Sequence, residues 1–151
     1  MLEQLASLEQ VYALCQDDPV RPHIPADQRI QPGKDVFVLR DDKENITAVI
    51  CIAYTNAVPK DEKDLEYYAQ AASQDGQHGS IAVAYTVWSY SKGAGREIIL
   101  EAAKHIKETK GVTRFVTLSP LTDMAERFHL RNGAFLLNKG EECQNFEYEN
   151  V

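Results

Sequence analysis

Apolar residues near the N-terminus recur at helical spacing. The leucines at the start of the chain, followed by Val11 and Cys15, keep this period until Pro19, which predicts an amphipathic first helix over residues 2–15. Residues 19–33 contain four prolines and no clear period. We therefore expect loops or short turns there, leading into the first buried strands.

The rest of the chain predicts strands that alternate with helices. A β-hairpin is expected at 35–40 and 46–54, a helix after Pro59, a strand at 80–89, a helix at about 96–110 and a strand at 113–118. A helix from Thr122 or Asp123 to Arg131 and two strands, 134–138 and 144–148, complete the pattern. The strand at 80–89 is apolar on both faces, which is typical of a central strand. Because a helix separates it from the next strand, these two strands should be parallel.

A glycine-containing turn, residues 92–96, joins the predicted central strand to the next helix. Glycines let backbone approach an anion closely, and a helix N-terminus offers free amides and partial positive charge. Residues 91–114 hold six Lys or Arg and three Glu, so this segment carries +3 in a chain of net charge −7. The pattern fits a site for a phosphorylated small ligand, and it equally fits an ordinary turn before a solvated helix face.

Composition restricts the class of protein. The length of 151 residues with 44% hydrophobic and 26% charged residues fits a single folded domain, residues 1–151, and no apolar run reaches membrane-spanning length. The acidic balance argues against nucleic acid or a membrane surface as a partner. No signal peptide is visible, so we expect the cytoplasm. Cys15, Cys51 and Cys143 lack disulfide or metal spacing, so buried or free thiols and no metal site are expected.

The glycine turn resembles the pyrophosphate-binding turn of the GNAT acyltransferase superfamily, with Tyr90 where Gln or Arg is usual. It lacks the endings of ATP and NAD loops. Residues 119–133 resemble the fourth-helix segment of the superfamily. The resemblance implies an α/β fold with a mixed sheet of six or seven strands flanked by helices, splayed between the strands ending at Ser89 and Ser119. It implies that coenzyme A or acyl-CoA binds, as substrate, to Val87, Trp88, Lys92, Gly93, Ala94, Gly95, Arg96 and Thr122.

Within that superfamily, the chain is most similar to the catalytic domain of malonyl-CoA decarboxylase. Residues 115–120 resemble its Thr/Ser-Leu-Ser-Pro motif, and residues 128–134 resemble its Phe-His-Leu-x-Asn-Gly-Ala motif. The resemblance implies that Ser119, His129 and the late Tyr148 are catalytic. Decarboxylation leaves an enolate, which needs donors at the thioester oxygen and a proton source. A hydroxyl and an imidazole with a pKa near neutrality could supply them.

Three functions remain open. The first is a lyase that decarboxylates malonyl-CoA or a related short acyl-CoA. The second is an N-acyltransferase that moves an acyl group to an amine, with His129 where many GNAT enzymes have a tyrosine that protonates the departing thiolate. The third is a module that binds acyl-CoA without turnover. The acyl chain, the acceptor and the oligomeric state, with a homodimer as one possibility, cannot be read from the sequence.

Overall fold

The structure is a computed structural model that describes residues 1–149. Its strands are β1 (Leu2–Leu5), β2 (Lys34–Arg40), β3 (Ile46–Thr55), β4 (Ile81–Ser89), β5 (Arg114–Thr117), β6 (Ser119–Pro120), β7 (Phe135–Lys139) and β8 (Cys143–Glu147). Its α-helices are α1 (Leu8–Cys15), α2 (Ala26–Arg29), α3 (Glu62–Ala72), α4 (Ala94–Lys110) and α5 (Asp123–Arg131), with a short 3-10 helix at Gln74–Gly76.

The strands form one mixed sheet in the order β1-β2-β3-β4-β5-β8-β6, and β7 pairs with β8. Only β4 and β5 are parallel among these pairs, and the α4 crossover connects them. The hairpin, the parallel pair and the mixed sheet flanked by helices are therefore confirmed. The described region has eight strands where six or seven were predicted, because the short strands β1 and β6 extend the sheet.

The N-terminal segment differs from its prediction. Residues 2–5 pair antiparallel with β2 at the sheet edge, and the first helix begins only at Leu8. Ser7 starts that helix, since its side-chain oxygen accepts a hydrogen bond from the Gln10 amide at 3.3 Å. Leu5 is buried in the strand. A leucine every third residue is also typical of a helix, so the spacing did not indicate that β2 needed an edge partner.

Strand β4 is buried on both faces, as its sequence predicted. On one face, Val83 and Tyr85 pack in a core that includes Val11 of α1 and Leu65 of α3. On the opposite face, Ala82 and Ala84 pack in a second core that α4 covers. The small side chains on the α4 face let that helix lie close to the sheet.

The two parallel strands separate at their carboxyl ends. Their pairing ends at Ala84 and Thr117, and the last bond runs from the Leu118 amide to the Ala84 carbonyl at 2.9 Å. Beyond it, β4 continues to Ser89, while Ser119 pairs with Gln144 of β8. A bulge in β4 at this level leaves one residue without a β3 partner. The predicted splay is thus present, and it opens a cleft between β4 and β6.

A buried ion pair anchors the loop that borders this splay. Arg29 Nη1 lies 2.8 Å from Asp18 Oδ2, and both side chains are fully buried. The other Asp18 oxygen accepts from the Arg21 amide and from the hydroxyl of Thr86 on β4. Burial by itself raises the pKa of Asp18, but these hydrogen bonds lower it overall. The loop between α1 and α2 is therefore fastened to β4 beside the cleft.

The remaining sequence expectations concern cysteines and membranes. All three cysteines are free and buried, as expected. Burial raises the pKa of Cys51 to about 12, so its thiol is unreactive at neutral pH. No helix within residues 1–149 combines the length and apolarity needed to cross a membrane.

Candidate functional site

The splay contains a cleft of about 520 Å³ between the carboxyl half of β4, β6 and helix α5. Six of the predicted site residues line it, namely Val87, Trp88, Gly95, Ser119, Thr122 and His129. The rest of the glycine turn, residues 92–94 and Arg96, is not part of the cleft lining, and neither is Tyr148. The structure therefore brings two of the three predicted catalytic residues to one opening, which begins beside the glycine turn.

The glycine turn leaves the start of α4 without a side-chain cap. Gly93 occupies the N-cap with φ of 83°, a left-handed conformation that glycine tolerates best. Gly95 lets α5 pack closely on the turn, since an added Cβ would lie 3.3 Å from the Phe128 ring and the ring would have to shift. The Ala94 amide already donates to the Ser91 carbonyl at 3.1 Å, so within the described residues the amides that remain for an anion at the start of this helix are those of Gly95 and Arg96. The phosphate site that the sequence predicted at this turn stays a prediction.

His129 is buried on α5 among aromatic rings. Its imidazole stacks on Phe146 with a centroid distance of 5.1 Å and meets the Phe128 ring edge at the same distance. Burial lowers the pKa of His129 to about 4, so the ring is neutral at pH 7. The expectation of an imidazole with a pKa near neutrality was therefore wrong, because a sequence does not give the aromatic enclosure that desolvates the ring.

Tyr148 fixes the tautomer of this neutral ring. Its hydroxyl lies 2.7 Å from His129 Nδ1, and burial raises the Tyr148 pKa, so it remains a phenol. The Asn132 side chain and the Arg96 charge also act on this hydroxyl, and both lower the Tyr148 pKa against the effect of burial. When the hydroxyl donates to Nδ1, the ring hydrogen is on Nε2. Nε2 has no partner among the described residues, which leaves one N–H donor on a ring that lines the cleft.

Ser119 lies on β6 at the opposite wall of the cleft. Its Oγ is 2.8 Å from the hydroxyl oxygen of Thr117, which also accepts from the Phe146 amide at 3.1 Å. If the Thr117 hydroxyl donates to Ser119 Oγ while it accepts from the Phe146 amide, the Ser119 hydroxyl hydrogen remains available as a donor. Ser119 and His129 can then each offer a hydrogen-bond donor to the same cleft.

The two charged residues of the cleft lining, Arg127 and Arg131 on α5, were not among the predicted site residues. The charge count that singled out residues 91–114 ended before this helix. The signal that could have found them is spacing, since Arg127 and Arg131 stand four residues apart and flank Phe128 on a predicted helix. Among the described residues, no Asp or Glu lines the cleft. Its electrostatics therefore favour an anionic ligand.

A second cavity of about 410 Å³ adjoins the cleft, because Val20 and Pro120 line both. Arg21 reaches this cavity with its side chain only 4% exposed, and its Nε lies 3.1 Å from Glu62 Oε2. Its Nη1 also donates to the Tyr85 carbonyl at the bulge of β4. The other charged lining residues are Asp61, Lys63 and Glu142, so carboxylates outnumber cations in this chamber.

Comparison with solved structures finds this fold in two groups of proteins. A malonyl-CoA decarboxylase from Rhodopseudomonas palustris matches with a TM-score of 0.61 at 17% identity, over 80% of this chain and 33% of that chain. The GNAT domain of PAT from S. lividans matches with a TM-score of 0.65 at 10% identity, over 97% and 88%. A Bacillus subtilis acetyltransferase in complex with CoA matches with a TM-score of 0.60 at 10% identity, over 97% and 93%.

These matches establish the fold. The chain has the GNAT fold, as the glycine turn and residues 119–133 predicted, and it shares that fold with part of malonyl-CoA decarboxylase. It spans about a third of the length of the decarboxylases it matches, 33% and 35%. No family model and no curated protein sequence matches the chain significantly.

Proposed function

We propose that this protein acts on acyl-CoA and that its reaction is decarboxylation of malonyl-CoA or a related short acyl-CoA. The observation that carries this proposal is the neutral His129, which Tyr148 holds at Nδ1 so that the Nε2 hydrogen is free for a ligand. Ser119 lines the same cleft as His129. Two neutral donors around one opening suit a reaction that develops negative charge on an oxygen.

The cleft gives the substrate a defined path in this proposal. The diphosphate of CoA binds at the glycine turn, where the amides of Gly95 and Arg96 are available and the side chains of Lys92 and Arg96 are exposed. The pantetheine follows β4 past Val87 and Trp88, with Thr122 on the facing wall. The thioester then reaches Ser119 and His129, where the cleft lies between β6 and α5.

The reaction needs few protein groups. The bond between the carboxylate carbon and the α-carbon of the malonyl group breaks, CO₂ leaves, and the electron pair moves into the thioester carbonyl as an enolate. The Ser119 hydroxyl and the His129 Nε2 hydrogen stabilise the enolate oxygen. A proton from water then adds to the α-carbon and gives acetyl-CoA. Removing one such donor typically lowers kcat by about 10²–10³.

The second candidate, acyl transfer to an amine, is favoured by the adjoining cavity. Two carboxylates that line it, Asp61 and Glu142, offer a suitable environment for an ammonium group, while Glu62 pairs with Arg21 and His23. Transfer also needs a base that takes a proton from the amine. With Nδ1 occupied and Nε2 protonated, the His129 ring has no free lone pair for that step, and we therefore place decarboxylation first.

Product analysis separates the candidates. Purified protein is incubated with malonyl-CoA, with and without lysine and putrescine as amines, and thioesters are quantified by chromatography. We expect acetyl-CoA without any amine, and about a 100-fold loss of kcat in Ser119→Ala and in His129→Gln. Tyr148→Phe should also slow turnover, because the ring loses the contact that fixes its tautomer.

The matched control is His105→Gln, which removes an exposed histidine on α4. It should keep wild-type turnover. If free CoA formed only when an amine was present, the activity would be acyl transfer and not decarboxylation. Tight CoA binding without any product, unchanged in His129→Gln, would leave only a binding module.

A further inference from the structure

The Ser119 hydroxyl belongs to a short series of hydrogen bonds that begins on β8. The Phe146 amide donates to Thr117 Oγ1 at 3.1 Å, and Thr117 Oγ1 lies 2.8 Å from Ser119 Oγ. Thr117 is on β5 and is only 1% exposed, so bulk water does not reach its hydroxyl. The direction of the hydrogen bond between the two hydroxyls is therefore decided within the protein.

The buried Thr117 hydroxyl sets that direction. A hydroxyl has one hydrogen, and leaving it without an acceptor in the interior costs free energy. Across residues 1–149, Ser119 Oγ is the acceptor within hydrogen-bond distance of Thr117 Oγ1, since the Phe146 amide can only donate. Thr117 therefore accepts from Phe146 and donates to Ser119. The opposite direction would leave the Thr117 hydrogen buried without a partner.

This direction leaves the Ser119 hydrogen available. Within the part of the chain that the structure describes, Ser119 Oγ has no hydrogen-bond partner other than Thr117 Oγ1. Ser119 lines the cleft, so its hydrogen can turn towards a ligand there. Hydrogen bonds in series polarise one another, so a serine hydroxyl that accepts from Thr117 is also a stronger donor.

Strand β8 fixes Thr117 at a second atom. The fully buried Asn145 side chain donates through Nδ2 to the Thr117 carbonyl and to the Pro59 carbonyl, each at 2.8 Å. The next residue, Phe146, supplies the amide that donates to Thr117 Oγ1, and its ring stacks on His129. Two consecutive residues of β8 thus hold Thr117, and one of them also contacts the second proposed donor of the site.

We propose that Thr117 is a positioning residue whose hydroxyl directs the Ser119 hydrogen at the thioester oxygen of the ligand. This inference rests on the proposed function, because it assumes that a CoA thioester reaches Ser119. Thr117 itself is not part of the cleft lining. It acts through Ser119, so its effect should vanish when the Ser119 hydroxyl is removed.

Calorimetric titration with acetyl-CoA and S-ethyl-CoA tests the inference without turnover, because S-ethyl-CoA has a methylene group in place of the thioester carbonyl. We expect wild-type protein to bind acetyl-CoA at least about tenfold more tightly, since two donors meet the carbonyl oxygen. Ser119→Ala should lower this ratio by about fivefold, and Thr117→Val by at least about threefold. Adding Thr117→Val to Ser119→Ala should lower it no further.

Rescue and a matched control separate positioning from a general loss of packing. Thr117→Ser keeps the hydroxyl and should keep the wild-type ratio, whereas Thr117→Ala should act like Thr117→Val. Thr55→Val removes another fully buried threonine hydroxyl, which donates to the Ala57 carbonyl at 2.8 Å outside the cleft lining, and it should keep the wild-type ratio. Both ligands are titrated into one preparation, so a partly unfolded variant leaves the ratio unchanged.

Each result decides between the proposals. Equal affinity of wild-type protein for both ligands, or a wild-type ratio in Thr117→Val and Thr117→Ala, overturns the inference and leaves decarboxylation to product analysis. A further fall when Thr117→Val is added to Ser119→Ala, or an equal fall in Thr55→Val, also overturns it, because Thr117 would then act by another route. If neither ligand binds, both proposals are wrong, whereas the expected ratios without acetyl-CoA formation from malonyl-CoA overturn only decarboxylation.

Discussion

His129 lines a cleft and is nevertheless only 7% exposed, because Phe128 and Phe146 cover its ring. This enclosure decides its chemistry, since it disfavours the imidazolium and leaves a neutral donor fixed by Tyr148. The proposed role therefore depends on hydrogen bonding rather than on a charged acid. A reaction at this residue should keep its rate across neutral pH.

The burial of His129 also has a measurable effect on stability. Its pKa falls from 6.5 to about 4 on folding, so between these values the unfolded chain binds a proton that the folded protein excludes. Stability from this group is thus complete above pH 6.5 and is lost as the pH falls towards 4, by about 3 kcal/mol in total. Urea unfolding of wild type and His129→Gln at several pH values measures this.

The wild-type protein should lose stability relative to His129→Gln only within that acidic window. His105→Gln, measured in parallel, accounts for the loss of an exposed histidine. A difference between wild type and His129→Gln that stays constant from pH 7 to 4 would mean that the ring is not desolvated in solution.

At the scale of elements, the loop between α1 and α2 shows how a segment without regular structure can be rigidly placed. Asp18 and Arg29 hold its two ends together and tie it to β4 through Thr86. Pro19 and Val20 of this loop line the cleft. The wall of the proposed site therefore depends on a buried ion pair outside it.

Breaking this ion pair should be costly. Asp18→Asn or Arg29→Met leaves one buried group without its partner, and we expect each to lower the free energy of unfolding by about 3–5 kcal/mol. The double variant should lose less than the sum of the two. Lys139→Met, which removes a surface pair with Glu126, should cost about 1 kcal/mol or less. Urea unfolding measures all four, and equal losses for surface and buried pairs would contradict this account.

The elements that the sequence predicted well have strong local signals. The period of α4 ends at Gly111, which adopts a left-handed C-cap with φ of 63°, and the same signal at Gly133 follows α5. The helix prediction was wrong at Leu2–Leu5 for a different reason. An edge strand forms there through pairing with β2, which is distant in sequence. Local periodicity cannot report such a pairing.

At the scale of the whole molecule, the fold and part of the cleft could be predicted from motifs, while the electrostatics could not. Ser119 and His129 lie in short, specific segments, and both line the cleft. The contact between Tyr148 and His129 joins β8's end to α5, and it depends on the complete sheet. The charge of the cleft lining comes from Arg127 and Arg131, which lie outside the segment that the charge count singled out.

The cleft concentrates positive charge in a chain that is acidic overall. Its net charge is −7, yet the cleft lining contains Arg127 and Arg131 and, within the described residues, no carboxylate. Such a field attracts an anionic ligand to the cleft and repels it elsewhere. Under the proposed function, this distribution favours a phosphorylated thioester over a neutral substrate.

Decarboxylation of malonyl-CoA in deuterium oxide, followed by mass spectrometry of the thioester, tests the proposed reaction most directly. We expect acetyl-CoA with deuterium in its methyl group, since water protonates the enolate carbon. We expect this product at the wild-type rate from His105→Gln and about 100-fold more slowly from His129→Gln. If wild-type protein forms no acetyl-CoA, or if His129→Gln forms it equally fast, the proposed role of His129 in decarboxylation is wrong.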